Sequence, residues 1–478
     1  MKAIVPALRV LFALLIIPIL GSCGSVPTAT PPETVQAPPP ERLEPVPEPL
    51  DNTQAILTGM AALLGQNDYD GALALFDLME PEEAESTGIR LIRASVLNSA
   101  GRLKEGRTIV EEILAKEPAN VEALFVLAAL EGASGKEKEQ RQLLEKIIAA
   151  QPAHIDALNE LGNIALRARS LKTAAGYFDK VLAAAPDNGD ALVGRAGVYR
   201  YNREPQKAAD LLTKAIRLYP QWAAPLSERA RIYREQGYPA EALADMDRAV
   251  RLDPNNYWIA YDRGITLMDL RKKQEALVEF TRAISLDPET FLAYVYTAGI
   301  KDDNGDYEGA ERDYTILTRL KPDYYFAWEG LGMLKMKQGL WAEARDAFLE
   351  AYKQAPQEHT YALLAAMNWM RAGKLSDPKQ FLETSLRKVP RDTMEYYMMR
   401  LYYELSGDNE VAMRIEKEKG LDTKARMLYY LAHYYDVRGN ANLANRYFLL
   451  CQEMNRRYIP EWRLNEWAVA ERNLIALH

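Results

Sequence analysis

Small and apolar residues recur along this chain at fixed places within a 34-residue frame. Counted so that a proline falls at position 32, the frames run from 53 to 86, from 87 to 120, and onward to 359 to 392. Position 8 is small in nine successive frames: Ala94, Ala128, Gly162, Ala196, Ala230, Gly264, Ala298, Gly332 and Ala366. Position 20 is alanine at Ala72, Ala174, Ala208, Ala242, Ala276, Ala310 and Ala344, and position 24 carries Phe76, Phe178, Met246, Phe280, Tyr314 and Phe348. Small residues at such spacing let two helix backbones approach, and the larger side chains fill the space around the crossing. The frame also contains its own stops. Glycine at position 15 (Gly101, Gly135, Gly237, Gly305, Gly339, Gly373) ends a first helix by adopting positive φ. The prolines from Pro118 to Pro390, 34 residues apart, end a second helix because proline has no N–H to donate. Two stops per frame predict two helices per frame, and units that cannot bury an apolar face alone predict a stacked array.

The frame from 325 to 358 places Trp328, Leu331, Gly332, Ala344, Phe348, Ala351 and Pro356 at positions 4, 7, 8, 20, 24, 27 and 32. This pattern resembles the tetratricopeptide repeat, and the resemblance covers residues 53–458. It implies an all-α fold, an α-solenoid: a right-handed superhelix of about twelve such helix pairs, followed by a capping helix over 459–478. Beyond Pro390, Tyr396, Met399, Tyr403, Gly407 and Ala412 read as an eleventh unit about two residues short. Leu428, Leu431, Ala432, Tyr435, Gly439, Ala444 and Phe448 read as a twelfth. Leu464, Trp467, Glu471 and Leu474 stand at helical spacing and predict a solvating cap. Two frames depart from the pattern. Glu131 and Gln140 occupy positions 11 and 20 of one, and Pro378 at position 20 of another delays its second helix by several residues.

In that family, positions 2, 5, 9 and 12 of the first helix face the groove of the superhelix. Carried onto this chain, they give a polar zone of Asp156, Asn159, Asn163, Asp190, Arg200, Ser227, Arg231 and Arg234. An aromatic and methionine-rich zone follows: Trp258, Tyr261, Phe326, Met333, Met336, Met367, Met370, Met394, Tyr397, Tyr429 and His433. These positions are separate from those that make the core, so the second zone is expected to face open space. Methionine and tyrosine there suit capture of a peptide or helix, because thioethers adapt their shape and rings supply buried area. Internal packing produces the same stripe, and that alternative stays open. The carboxylate clamp of chaperone-binding members is not expected: against its pattern the chain offers Asn159, Asn163, Gly194, Ala224 and Glu228, of which only Asn163 fits.

Ahead of the repeats, Lys2 and Arg9 precede an apolar run from Val10 to Leu20. The run is shorter than the roughly 17 residues a membrane span requires, and it reads as a secretory leader. Leu20-Gly21-Ser22-Cys23 resembles the lipobox of bacterial lipoproteins. The resemblance implies removal of 1–22 as a signal peptide, lipidation of Cys23 and anchorage by several acyl chains. An ordinary cysteine beside a conventional cleavage site is the alternative. Gly24 and Ser25 leave out the aspartate of an inner-membrane retention signal, which favours an outer-membrane, periplasm-facing address in the bacterial cell envelope. Over 23–52, nine prolines between 26 and 50 predict an extended stalk with a reach on the order of 80 Å. A docking site for proline-reading domains is the sharper alternative there.

The net charge of −8 disfavours phosphate polymers, so no nucleic-acid partner is expected. Two cysteines provide no disulfide framework, and four scattered histidines suggest no metal motif. Gly132-Ala133-Ser134-Gly135-Lys136 lacks the first glycine of a phosphate loop and has Glu137 where magnesium needs a hydroxyl. Asp302-Asp303-Asn304-Gly305-Asp306 has its glycine two places early for a calcium loop. Cys451 falls at a packing position, as a buried thiol. No HExxH or GxSxG occurs, and no enzyme and no cofactor are expected. The sequence therefore points to a lipid-anchored envelope scaffold that binds proteins or peptides. The alternative is a transport accessory or carrier that holds a small hydrophobic ligand in the superhelix cavity.

Overall fold

The computed structural model describes residues 52–66, 68–374 and 378–474; the leader, Cys23 and the stalk lie outside the described residues. Among the described residues there are 26 α-helices, a single 3₁₀ turn and no strand. The chain is an all-α solenoid of paired helices. Through the regular frames the first helix has 13 residues, as in Ile155–Arg167 and Tyr257–Asp269, and the second has 14, as in Leu171–Ala184 and Lys273–Leu286.

Local chemistry sets these bounds. Position 34 supplies the N-cap: Asn120, His154, Asn188 and Asn256 accept the backbone N–H of Ala123, Ala157, Ala191 and Ile259. At position 15 the backbone turns left-handed, with φ of 81° at Gly237 and 80° at Gly305. Where the frame lacks glycine there, Arg169, Arg203 and Arg271 adopt the same turn at 57°, 60° and 59°. In three successive frames a cation at position 26 then ties the frame to the proline that closed the one before. Lys214 Nζ donates to the Pro186 carbonyl at 2.7 Å, Arg248 Nη2 to Pro220 at 3.2 Å, and Arg282 to Pro254.

The position 24 ring packs where the sequence leaves room. A Cβ on Gly264 would come within 2.6 Å of Phe280, and one on Gly330 within 2.5 Å of Tyr314 from the preceding frame. In the departing frame Gln140 lies against Gly132, and Glu131 pairs with Arg107 at 2.6 Å and Lys136 at 3.4 Å. Its hydrogen bond to Arg107 holds the Glu131 carboxyl below the usual range. The Pro378 frame behaves as its sequence predicts: Pro378 caps a helix of only eight residues, Lys379–Leu386. The first frame is less regular than its sequence suggests. After Asn52–Leu64 its second half is broken into Tyr69–Ala74, the 3₁₀ turn Leu75–Leu78 and Pro81–Ala84.

The chain divides into two compact units, Met1–Leu286 and Asp287–His478, with the 34-residue period continuing through the division. In the first, the core is a series of separate clusters, each shared by neighbouring helices; Leu158, Ala174, Phe178, Val181, Ala191 and Val198 form one. In the second, one large cluster extends from Met333 to Leu464, and Ala293, Ala298, Ala310 and Leu317 are buried ahead of it. The short eleventh pair, Met394–Glu404 and Asp408–Lys417, and the twelfth, Leu421–Val437 and Ala441–Glu453, belong to that unit.

Its last helix, Pro460–Glu471, is more than a solvating cap. It packs on both helices of the twelfth pair and also touches Tyr325–Lys337. Trp462, Leu464 and Asn465 are buried, and Glu461 accepts a hydrogen bond from the Tyr430 hydroxyl at 2.7 Å. Arg463 grips both carboxylate oxygens of Asp302 at 2.5 Å across 161 residues of sequence.

Candidate functional site

The polar zone lies wholly in the first unit. Asn159 is buried and its amide donates to Asn188 Oδ1 at 3.1 Å, so it supports the cap of the next first helix. Asn163 is half-buried and hydrogen-bonds Glu160, one turn earlier. Ser227 is buried, and Asp156 is exposed. Burial pushes the Glu160 carboxyl up to about 7, and burial together with Asp156 pushes Asp190 up to about 6.

Each predicted arginine is paired with an acid, mostly from the next repeat. Arg200 meets Glu235 at 2.7 Å and Arg234 meets Asp269 at 2.7 Å, both 35 residues on in sequence. Arg231 bridges Glu228 and Asp262, each at 2.6 Å. The result is a ladder of fixed charges, with Arg231, Arg234, Glu235 and Asp269 around an open cleft of about 570 Å³. Trp258 and Tyr261 follow it, half-buried, with rings edge-on at 6.1 Å.

The aromatic and methionine-rich zone of the second unit is corrected by the structure. Met367, Met370 and Tyr429 are 1%, 2% and 1% exposed, and Met333, Met336, Met394 and His433 are buried as well. They are core residues. The reason is that successive first helices close on one another: His359–Arg371 packs directly against both Met394–Glu404 and Leu421–Val437. Arg371 reaches Asp436 at 2.7 Å and donates to His433 Nδ1 at 2.9 Å, while the Tyr430 hydroxyl donates to the Thr360 carbonyl at 3.3 Å. Burial and the Arg371 charge hold His433 well below its ordinary pKa, as a neutral ring. Tyr397 is half-buried beneath Arg414, whose guanidinium lies 3.7 Å from the ring centroid. Phe326 is the exception, at 48% exposed.

Phe326 stands at the mouth of a cavity of about 330 Å³ built on positions 2, 5 and 9 of Tyr325–Lys337. Glu329 at position 5 is its inward carboxyl, with Tyr324, Tyr314 and Met333 around it and the Asp302–Arg463 pair at one side. Tyr361 donates its hydroxyl to Glu329 at 2.5 Å. The cavity escaped the sequence reading for two reasons. Glu329 lies between Phe326 and Met333 on the same face, but a stripe chosen for rings and thioethers passes over it. Arg463 comes from the last helix, where the frame has lost its register.

None of these groups is disposed as a nucleophile with its base. Cys451, the one thiol among the described residues, is buried, donates to the Ala425 carbonyl at 3.3 Å, and is pushed far up by burial. What the described faces provide is fixed polar contact and one partly lined cavity. The sequence profile of the ETO1 C-terminal domain matches residues 74–333, more than half of the chain. This chain is a tetratricopeptide-repeat protein of the ETO1 C-terminal domain family.

Solved structures of other tetratricopeptide-repeat proteins are similar to it in fold. A tetratricopeptide repeat protein from Parabacteroides merdae is 17% identical, with 52% of this chain and 97% of that one covered and a TM-score of 0.41. The APC/C hetero-tetramer Cut9-Hcn1 is similar at 17% identity, 67% and 64% coverage and a TM-score of 0.48. YrrB, described as having an unusual peptide-binding site, is similar at 21% identity, 38% and 95% coverage and a TM-score of 0.31. Among curated proteins none matches in sequence. Tetratricopeptide-repeat arrays present stacked helix faces to their partners.

Proposed function

We propose that this tetratricopeptide-repeat protein is a non-catalytic scaffold, lipid-anchored through Cys23 at the outer membrane and facing the periplasm, that binds protein or peptide partners on its first-helix faces. The observation that carries the binding reading is the ladder of Arg200–Glu235, Arg231–Asp262 and Arg234–Asp269 in the first unit. These side chains are held in fixed orientations yet stay partly open to solvent, so a polypeptide laid along them loses little side-chain entropy. The apolar core is complete without that face. The lipobox-like Leu20 to Cys23 and the proline-rich stretch after it support an anchor and a spacer.

A carrier for a small hydrophobic ligand is the less favoured reading. It requires an open cavity lined by Met367, Met370 and Tyr429, and those side chains fill the space themselves. Two measurements on the full-length protein test the scaffold. Photo-crosslinking residues placed at Asn163 and Trp258 should give discrete adducts with other proteins in native membranes. Adducts with lipid or small molecules alone would sink the adaptor. Cys23→Ser should move the protein from the membrane fraction to the soluble one; if it stays with the membranes, the anchor is wrong.

A further inference from the structure

The cavity under Phe326 holds two carboxylates and, among the described residues, only one cation in direct contact with them. Asp302 and Arg463 neutralise one another through their two-bond fork. Glu329 has the Tyr361 hydroxyl for a partner and forms no ion pair among the described residues. That carboxyl, in a space walled by Tyr314, Tyr324 and Met333, thus has no cation in direct contact; Arg426 favours its charge from farther off, while Glu461 and Glu358 oppose it. Burial pushes Glu329 up to about 7, against the Tyr361 hydrogen bond and the Arg426 charge.

Geometry narrows the cation. At about 330 Å³ the cavity is at the small end of ligand sites, enough for one extended side chain. The Tyr324 and Phe326 rings, 5.6 Å apart and tilted by 56°, line it, and aromatic rings attract ammonium and guanidinium groups. We propose that this cavity takes the lysine or arginine side chain of a partner peptide, its cation on Glu329 and its methylenes against Tyr324, Phe326 and Met333. The identity of the occupant as a peptide rests on the scaffold reading above; the choice of a cation rests on the cavity alone.

The test uses the full chain and calorimetric titration with three end-blocked pentapeptides that differ only at the centre, arginine, lysine or glutamine, beside agmatine as a free amine. The arginine and lysine peptides should bind at least tenfold more tightly than the glutamine peptide. Glu329→Gln should remove that preference, and Phe326→Ala, at an exposed position that the core does not need, should weaken it severalfold. Affinity for the arginine peptide should rise between pH 6 and pH 8 as Glu329 loses its proton. The proposal is overturned by equal binding of the glutamine peptide, by an unchanged preference in Glu329→Gln, or by no uptake of the arginine peptide. Agmatine bound without the arginine peptide also overturns the peptide occupant. Failure here with crosslinked partners still found at Asn163 and Trp258 leaves the scaffold standing, and loss of those partners with the peptide preference intact does the reverse.

Discussion

Arg203 and Arg271 occupy a backbone conformation that six of the regular frames give to glycine, with φ of 60° and 59°. A side chain there costs roughly 1–2 kcal/mol, partly offset because glycine loses more freedom on folding. Arg203→Gly should therefore raise stability by about 0.5–1 kcal/mol in urea unfolding, and no gain would mean the turn is unstrained. A second residue-scale effect depends on pH. The Glu160 carboxyl has a folded pKa of about 7 against an ordinary value of 4.5, because burial and the charges of Asp190 and Asp156 outweigh Arg167. The folded state holds that proton longer than the unfolded state, so Glu160 reduces stability progressively as pH rises from 4.5 to 7. Glu160→Gln, which cannot ionise, should match the wild type near pH 4.5 and exceed it by about 1–2 kcal/mol at pH 8. Equal stabilities at pH 8 would show that solvent reaches the carboxyl freely. Neither residue announces itself in the sequence. The turn is legible from its neighbours' glycines, but the pKa depends on how far the helices on either side enclose one carboxyl.

At the scale of the helix, what the sequence made legible is what happens within one period or the next. The Gly264–Phe280 contact is steric and local, and a Cβ at 2.6 Å from a fully buried ring cannot be absorbed by rotation. Gly264→Ala should cost about 1–3 kcal/mol, measured by chemical unfolding, even though alanine is the better helix former. A neutral or stabilising result would place the ring elsewhere. Glycine and proline stops, the asparagine caps and the shortened helix after Pro378 belong to the same class. The ion-pair ladder is half legible: acids 31 and 35 residues beyond an arginine are visible in the frame, but only the packed helices show that the side chains meet. The burial of Met367, Met370 and Tyr429 is not legible, because their positions are also those of an open face. How closely successive first helices approach decides between the two, and the shortened repeats after Arg371 bring them together.

At the scale of the whole molecule, the two units are built on one period but are stabilised differently. Separate clusters between neighbouring helices make the first a sum of local contacts, whereas most of the second, from Met333 to Leu464, shares one core. The last described helix completes that core and clasps Asp302 in the unit's first helix, Phe291–Asp303, so Arg463→Ala should loosen both ends of the second unit. Hydrogen exchange is expected to quicken across Pro460–Glu471 and in Phe291–Asp303 together, with the helices before Leu286 unchanged. Acceleration confined to the terminal turn would show that the fork is only a surface contact. This long-range pairing was beyond the sequence, since no periodic signal links residues 161 apart.

The same clasp dictates an order of events during synthesis. Helix pairs in the first unit need only the neighbour that follows them and can consolidate as each leaves the ribosome or a translocation channel. The second unit has to wait for Pro460–Glu471, because the arginine that locks its opening helix is made 161 residues after the aspartate it grips. A chain cut before Pro460 would thus deliver a finished front half attached to a rear half with its interior still accessible to proteases.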